Sequence, residues 1–156
     1  YVEDLSTGLY NRNRYNQVCD SLSGKDCGSL GIAYFDLNGL KKINDLQGHQ
    51  AGDALIRRTA ECILQAFGQK AYRIGGDEFI VIDRESGRDA FHACVRDALR
   101  AMEESHISIS CGISWRAEQG NIDEQINEAD KKMYLAKREF YACKEHDRRH
   151  YWPEQE

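Results

Sequence analysis

The sequence lacks several patterns that would each indicate a class of protein. No apolar run approaches the roughly 20 residues of a membrane-spanning helix, and no signal peptide opens the chain, so we expect a soluble, cytoplasmic segment without membrane contact. The net charge is -5 and no basic stripe is interleaved with aromatic residues, which argues against nucleic-acid binding. Neither G-x-x-x-x-G-K-[ST] nor G-x-G-x-x-G occurs, so any nucleotide must be held differently.

Cysteine is present but without a pattern. No C-x-x-C pair occurs, and most of the cysteines stand in apolar or helical contexts. This favours reduced thiols over a disulfide framework or a zinc site. The six cysteines are Cys19, Cys27, Cys62, Cys94, Cys111 and Cys143.

The length of 156 residues fits one domain, residues 1–156, without repeats or an internal linker. Strand-like and helix-like segments alternate, which predicts an α/β sandwich in which helices pack on a sheet. Asn121 is the expected N-cap of the last helix. The predicted strands are Leu30–Phe35, Ala71–Ile74, Phe79–Ile82 and Ile107–Ser114, and the predicted helices are Arg14–Leu22, Ala51–Phe67, Asp89–Met102 and Ile122–Tyr141.

The most informative stretch lies between the second and third predicted strands. Gly75 and Gly76 stand where a tight hairpin needs positive φ, and glycine also lets a nucleotide approach the backbone closely. Two adjacent carboxylates follow, Asp77 and Glu78. The stretch is interpreted as a metal and phosphate site, and the alternative is an ordinary acidic turn.

Together with Phe79, these residues spell the motif of the GGDEF family of diguanylate cyclases, and the chain resembles that family over about residues 4–142, leaving 143–156 as a tail. Other stretches match in the family's order: residues 4–12 (DLSTGLYNR), residues 35–45 (FDLNGLKKIND), the GH and GD pairs at 48–49 and 52–53, and residues 129–137 (ADKKMYLAK). Three positions depart from the family pattern. Asn38 replaces an aspartate, Leu40 a phenylalanine, and Tyr141 the arginine that usually follows Lys137 by four residues.

The resemblance implies a ferredoxin-like sheet related to the palm of polymerases and to nucleotidyl cyclases. It also implies that Asp36, the Leu37 carbonyl and Asp77 hold Mg²⁺, for which Mn²⁺ is an alternative. The residue types agree, because magnesium prefers a few carboxylates together with water and substrate phosphates. Pairing of the two strands would bring Asp36 and Asp77 together, although Asp36 alone would be interpreted as a turn residue.

Further roles follow from the resemblance. Asp77 is the expected proton acceptor for a ribose 3'-hydroxyl, with Glu78 supporting the metal or the base. Lys41 is expected to stabilise charge on the α-phosphate, and Lys137 to contact the triphosphate. Each lysine taken alone would be interpreted as part of a solvated face.

Base recognition would depend on polar side chains. A carboxylate accepts two hydrogen bonds from guanine, which adenine cannot donate. Asn44 and Asp53 match the family's guanine contacts, and His49 a neighbouring substrate position. In isolation these residues would be a turn amide, an acid at a helix start and a packed histidine.

The sequence therefore predicts a diguanylate cyclase, a nucleotidyltransferase that joins two GTP molecules into cyclic di-GMP and releases two pyrophosphates. The family works as a homodimer in bacterial signal transduction. Because the chain starts within the first motif, we expect it to be part of a longer protein whose N-terminal sensor or dimerisation region could tether it. Two alternatives stay open: a GTP-binding or partner-binding module without turnover, and a cyclase that makes a hybrid dinucleotide.

The sequence also predicts how the domain responds to its product. Many family members bind cyclic di-GMP at an R-x-x-D site shortly before the hairpin, but Ala66, Phe67, Gly68 and Gln69 stand here. Without the arginine there is no bidentate phosphate contact, so titration with cyclic di-GMP should give no product inhibition at this surface. Tight noncompetitive inhibition that disappears when residues 66–69 are mutated would contradict this prediction.

Overall fold

A computed structural model describes residues 2–24 and 28–151, with side chains through residue 144. Within this part of the chain there are five α-helices and four β-strands, and helices and strands are interspersed along it. None of these helices combines the length and the apolar character needed to cross a bilayer. The elements are α1 Arg12–Leu22, β1 Leu30–Leu37, α2 Leu40–Gln47, α3 His49–Phe67, β2 Ala71–Arg73, β3 Glu78–Asp83, α4 Arg88–Glu104, β4 Ile109–Arg116 and α5 Ile122–Tyr151.

The strands form one antiparallel sheet in the order β2-β3-β1-β4. Strand β1 is central and all eight of its residues are buried. Its side chains alternate between the two faces of the sheet, so each face has its own apolar core. The predicted sandwich of helices on a sheet is confirmed.

The two cores pair different helices with the sheet. On one face, Phe35 and Phe79 pack with Ile63 of α3 and Phe91 of α4. On the other face the core is formed with α1 and α5. Its fully or nearly fully buried members include Leu22, Ile32, Ile80, Ile122 and Met133.

Helix α5 is fixed against the sheet at two places. A Cβ atom on Gly112 of β4 would collide with the Ala129 carbonyl and the Met133 amide, so only glycine allows this close backbone approach. The buried Gln125 side chain donates to the Leu30 carbonyl at 2.6 Å and to the Ser114 carbonyl at 3.2 Å. The helix therefore lies directly on β1 and β4.

Most predicted elements are found, with shifted ends. The Asn121 carboxamide oxygen accepts from the amides of Asp123 and Glu124, which confirms the predicted N-cap. Helix α2 is not predicted by the sequence patterns, which leave residues 37–50 without secondary structure. Of the cysteines expected to be reduced, Cys27 lies outside the described residues and the other five are free thiols.

A salt bridge joins the start of the chain to the β2–β3 hairpin. The Arg73 guanidinium lies 3.1 Å from the Asp4 carboxylate, and both side chains are at least three-quarters buried. The Thr7 hydroxyl and amide also donate to this carboxylate, at 2.6 and 3.1 Å. Burial alone would raise the pKa of Asp4, but the hydrogen bonds from Thr7 and Arg73 and the arginine charge lower it on balance.

Replacing Asp4 with asparagine tests this bridge. Because the pKa of Asp4 is lower in the folded than in the unfolded chain, its stabilisation is present above about pH 4 and is lost as the pH falls. We expect Asp4→Asn to lower the free energy of unfolding by about 1 kcal/mol at pH 7. The difference from wild type should shrink in urea unfolding near pH 3.

The matched control is Asp97→Asn, because Asp97 pairs with Arg100 at 3.9 Å while both side chains are about 70% exposed. This variant should match wild type within about 0.5 kcal/mol at either pH. Equal losses in the two variants, or a loss in Asp4→Asn that persists at pH 3, would contradict the role of the bridge.

Candidate functional site

The candidate site begins where β1 leaves the sheet. In the β1–β3 register, Asp36 pairs with Glu78, so these two side chains lie on the same face, the one covered by α5. One residue further on, the Leu37 amide donates to the Asp77 carbonyl at 3.0 Å. The predicted pairing of the two strands is therefore observed, and it brings the acids of the hairpin beside the end of β1.

The Asp36 carboxylate is the most buried acid of this group, with 8% of the residue exposed. Its Oδ2 atom lies 3.0 Å from the Lys137 ammonium, and its Oδ1 atom is buried without a hydrogen-bond partner. Burial raises the pKa of Asp36 to about 6 against the opposing effect of Lys137, and the charges of Asp77 and Glu78 contribute to the rise. Burial and the neighbouring negative charges thus disfavour the ionised carboxylate, and an additional cation would favour it.

The Lys137 ammonium bridges two oxygens that are expected metal ligands. It donates to the Leu37 carbonyl at 3.0 Å in addition to its pair with Asp36. No group of three or more His, Cys, Asp or Glu side chains in the described residues is placed to hold a metal by itself. A divalent cation here would therefore depend on the carbonyl and on substrate oxygens, which suits Mg²⁺. The Lys137 ammonium shows that a positive charge is accommodated at these oxygens, and the unpaired Asp36 Oδ1 atom is a further oxygen ligand for such an ion.

Glu78 and Asp77 differ in their partners. The Tyr34 hydroxyl donates to Glu78 Oε2 at 3.2 Å, and burial together with the glutamate charge raises the pKa of Tyr34. The Asp77 side chain is partly exposed and has no hydrogen bond or ion pair with the described residues. Of the two acids, Asp77 is the one free to meet a ligand.

The hairpin glycines do not behave as predicted. Neither Gly75 nor Gly76 has a positive φ, so that prediction is wrong. A Cβ on Gly75 would lie 3.2 Å from Glu78 Oε2, whereas one on Gly76 would meet no atom within 4 Å. Gly76 therefore leaves open space above the hairpin, and Gly75 makes room for the glutamate.

Arg73 organises the hairpin, although the sequence motifs do not single it out. Its Nε atom donates to the Gly75 carbonyl at 3.2 Å and its Nη2 atom to the Gly76 carbonyl at 2.8 Å. Its remaining nitrogen reaches Asp4, as described above. The signal in the sequence is a lone arginine two residues before the glycine pair, which without a structure is indistinguishable from a solvated strand end.

The loop after β1 is fixed from two sides. Asn38, a departure from the family pattern, is buried, and its amide group donates to the Ser108 hydroxyl at 3.2 Å and accepts from the Ser110 hydroxyl at 2.8 Å. The Gly39 amide donates to the Tyr141 hydroxyl of α5 at 3.1 Å. Gly39 has a φ of 72° and caps α2, a conformation that suits glycine. Asn38 therefore ties the loop to β4 as a neutral group.

The expected base-reading residues lie on α2 and α3, apart from the acids. The Asn44 carboxamide packs against Gly52, and its Oδ1 atom is buried without a partner. Asp53 and His49 are exposed on α3, and Lys41 is exposed on α2. The structure thus joins Asp36, Leu37, Lys137 and the hairpin at one end of the sheet and places Asn44 beside the residue that precedes Asp53.

Gly52→Ala tests the packing of Asn44. In an exposed helix this change would stabilise by up to about 1 kcal/mol, but here the added Cβ would collide with the Asn44 carboxamide. We therefore expect thermal or urea unfolding to show a loss of about 1–3 kcal/mol.

Gly87→Ala is the control, because a Cβ on Gly87, the N-cap of α4, meets no atom within 4 Å. It should cost less than about 1 kcal/mol. Equal stability of the two variants would show that Asn44 is not held by Gly52.

Comparison with known proteins shows what this chain is similar to. The family model "Diguanylate cyclase, GGDEF domain" matches residues 2–141. The cyclic di-GMP phosphodiesterase PdeR of Escherichia coli K12 is 34% identical over 86% of this chain and 22% of its own length. The diguanylate cyclase DgcS of Shewanella oneidensis is 30% identical over 90% of this chain and 51% of its own length. The chain thus spans about half or less of these relatives.

The fold agrees as well. The crystal structure of the GGDEF domain of DgcB from Caulobacter crescentus, in complex with cyclic di-GMP, superposes with a TM-score of 0.73 at 26% identity. The match covers 88% of this chain and 90% of that one. The four-stranded sheet and its helices are therefore the architecture of such domains.

Proposed function

The chain belongs to the GGDEF family, and from that premise we propose that it is the catalytic domain of a diguanylate cyclase, which condenses two GTP molecules into cyclic di-GMP. The observation that carries the proposal is the convergence at the end of β1: the Asp36 carboxylate and the Leu37 carbonyl both contact the Lys137 ammonium, beside the hairpin acids. Such an arrangement suits phosphoryl transfer, because it offers oxygen ligands next to a cationic side chain.

In the proposed mechanism, Asp36, the Leu37 carbonyl and Asp77 would hold Mg²⁺ or Mn²⁺. When bound, the metal would neutralise charge on the phosphates and lower the pKa of the attacking hydroxyl. Asp77 is the proposed proton acceptor for the 3'-hydroxyl, because its carboxylate has no hydrogen bond or ion pair with the described residues. Glu78 accepts a hydrogen bond from Tyr34 and is proposed to support the metal or the base. Gly76 leaves room for the substrate next to the backbone.

Lys41 and Lys137 supply positive charge to the phosphates. Lys41 is exposed on α2, and its long stem can follow a ligand. Lys137 is already within reach of the site through its contact with Asp36. For the base, the unpaired Asn44 Oδ1 atom and the exposed Asp53 carboxylate are acceptors for guanine N-H groups, with His49 as a neighbouring contact.

Ring closure needs two such domains, since each would hold one GTP, so the active form is proposed to be a homodimer arranged by a further region of the protein. A specific observation favours a second candidate, a GTP-binding regulatory module without turnover. Tyr141 occupies the position of the family's arginine, and its hydroxyl accepts from the Gly39 amide in the loop after β1. One relative that contains a matching segment is named as a phosphodiesterase.

The test is to incubate the chain, dimerised through an added coiled coil, with GTP and Mg²⁺ and to identify the product by mass. We expect cyclic di-GMP, and a mixture of GTP and ATP would reveal any hybrid dinucleotide. GTP binding in calorimetry without product would favour the regulatory module. If the chain neither bound GTP nor formed a product, both candidates would be contradicted.

Asp77→Asn is the sharpest variant for the mechanism. Losing a carboxylate at the reacting centre should lower the rate of cyclic di-GMP synthesis by about 100-fold or more, while circular dichroism shows an unchanged fold. Asp20→Asn, which removes an exposed acid from α1, is the matched control and should keep the wild-type rate. Near-normal synthesis by Asp77→Asn would show that Asp77 does not have the proposed role.

A further inference from the structure

Two side chains of α5 occupy the loop after β1. The Lys137 ammonium lies 3.0 Å from Asp36 Oδ2 and 3.0 Å from the Leu37 carbonyl oxygen. One helical turn later, the Tyr141 hydroxyl accepts from the Gly39 amide at 3.1 Å. Residues four apart lie on one face of a helix, so the two side chains reach the loop together.

Each of these groups has the chemistry of a ligand. The ammonium is a cation bound to the oxygens that the proposed function assigns to the metal. The Tyr141 hydroxyl is an oxygen bound to the amide at the start of α2, where the exposed N-H groups of a helix favour anionic oxygens. The Lys137 ammonium therefore stands where the metal is proposed to bind, and the Tyr141 hydroxyl oxygen stands where an anionic oxygen of a ligand could bind.

A divalent cation that bound Asp36 and the Leu37 carbonyl would have to share both groups with the Lys137 ammonium, and the two positive charges would repel each other at this short distance. The lysine side chain is 22% exposed and that of Asp36 12% exposed, so water screens the repulsion only in part. The flexible stem of Lys137 allows the ammonium to leave, and a phosphate anion beside the site would stabilise the ammonium in its new position.

We propose that Lys137 competes with the divalent metal for Asp36 and the Leu37 carbonyl, so that the site binds bare metal weakly and accepts it together with a polyphosphate. The phosphate oxygens receive the displaced ammonium, and an anionic oxygen replaces the Tyr141 hydroxyl at the Gly39 amide. This proposal rests on the proposed function, because it concerns the same metal-nucleotide site. Lys137 is then a residue that couples metal binding to nucleotide binding.

The test measures Mn²⁺ binding to the chain in the absence of nucleotide, by electron paramagnetic resonance of the free ion. Lys137→Met keeps an apolar stem and removes the competing charge, so it should bind bare Mn²⁺ about tenfold or more tightly than wild type. Adding inorganic triphosphate should strengthen Mn²⁺ binding more in wild type than in Lys137→Met. Lys137→Gln is the second neutral variant, for use if Lys137→Met does not fold.

Lys132→Met is the matched control, because it removes the same charge from the same helix. The Lys132 ammonium contacts the Ile113 carbonyl and Glu128, at 3.0 and 3.3 Å. This variant should keep the wild-type affinity for Mn²⁺ within about twofold, since exposed charges are screened. An equal gain in Lys132→Met and Lys137→Met would mean a general charge effect and would overturn the proposal.

The proposal is also overturned if folded Lys137→Met or Lys137→Gln binds bare Mn²⁺ no more tightly than wild type. This outcome is distinct from failure of the proposed function, which is judged by product formation. A chain that makes no cyclic di-GMP but gains Mn²⁺ affinity on loss of Lys137 supports the competition alone. A chain that makes cyclic di-GMP without this gain retains the function and loses the competition.

Discussion

The register between β1 and β3 is the constraint on which the candidate site depends. Asp36 stands opposite Glu78, and the Leu37 amide donates to the Asp77 carbonyl. A shift of one residue would turn every β1 side chain to the opposite face of the sheet. Asp36 would then face the core beneath α3 and α4, and a buried carboxylate without a cation costs several kcal/mol. The two apolar cores therefore select the register that assembles the acids.

The residues of the proposed site form two groups around the loop after β1. Asp36 and Lys137 of α5 meet at the end of β1, whereas Lys41, Asn44 and Asp53 lie on α2 and α3. Asn38 holds the loop to β4 through two serines, and Gly39 turns it into α2. A neutral amide at position 38 suits this place, because Asp36, Asp77 and Glu78 already repel one another. The departure from the family pattern thus has a structural explanation.

Much of this could be predicted from the sequence, because motifs and periodicity are local properties. The strands, the long helices and the Asn121 cap follow from such patterns, whereas the meeting of Asp36 with the hairpin also requires the family resemblance and the assumption that the two strands pair. Helix α2 is not predicted because it has only eight residues and packs just two partly buried apolar side chains, Leu40 and Ile43, against the core. The Tyr141 contact spans 102 residues and depends on the path of α5, which no local pattern encodes. The prediction of positive φ at Gly75 and Gly76 is wrong, because these glycines provide room beside the hairpin and do not adopt a left-handed conformation.

The close approach of Gly112 to α5 has a mechanical consequence. Because backbone meets backbone at Gly112 and the Gln125 side chain donates to carbonyls of β1 and β4, the N-terminal half of α5 is held firmly on the sheet. The helix has 30 residues, so at about 1.5 Å per residue it is a rod of roughly 45 Å. A force applied at its C-terminal end would act on Lys137 and Tyr141 together, because both side chains belong to this one helix. Helix α5 thus connects its C-terminal end mechanically to the candidate site, which Lys137 and Tyr141 contact.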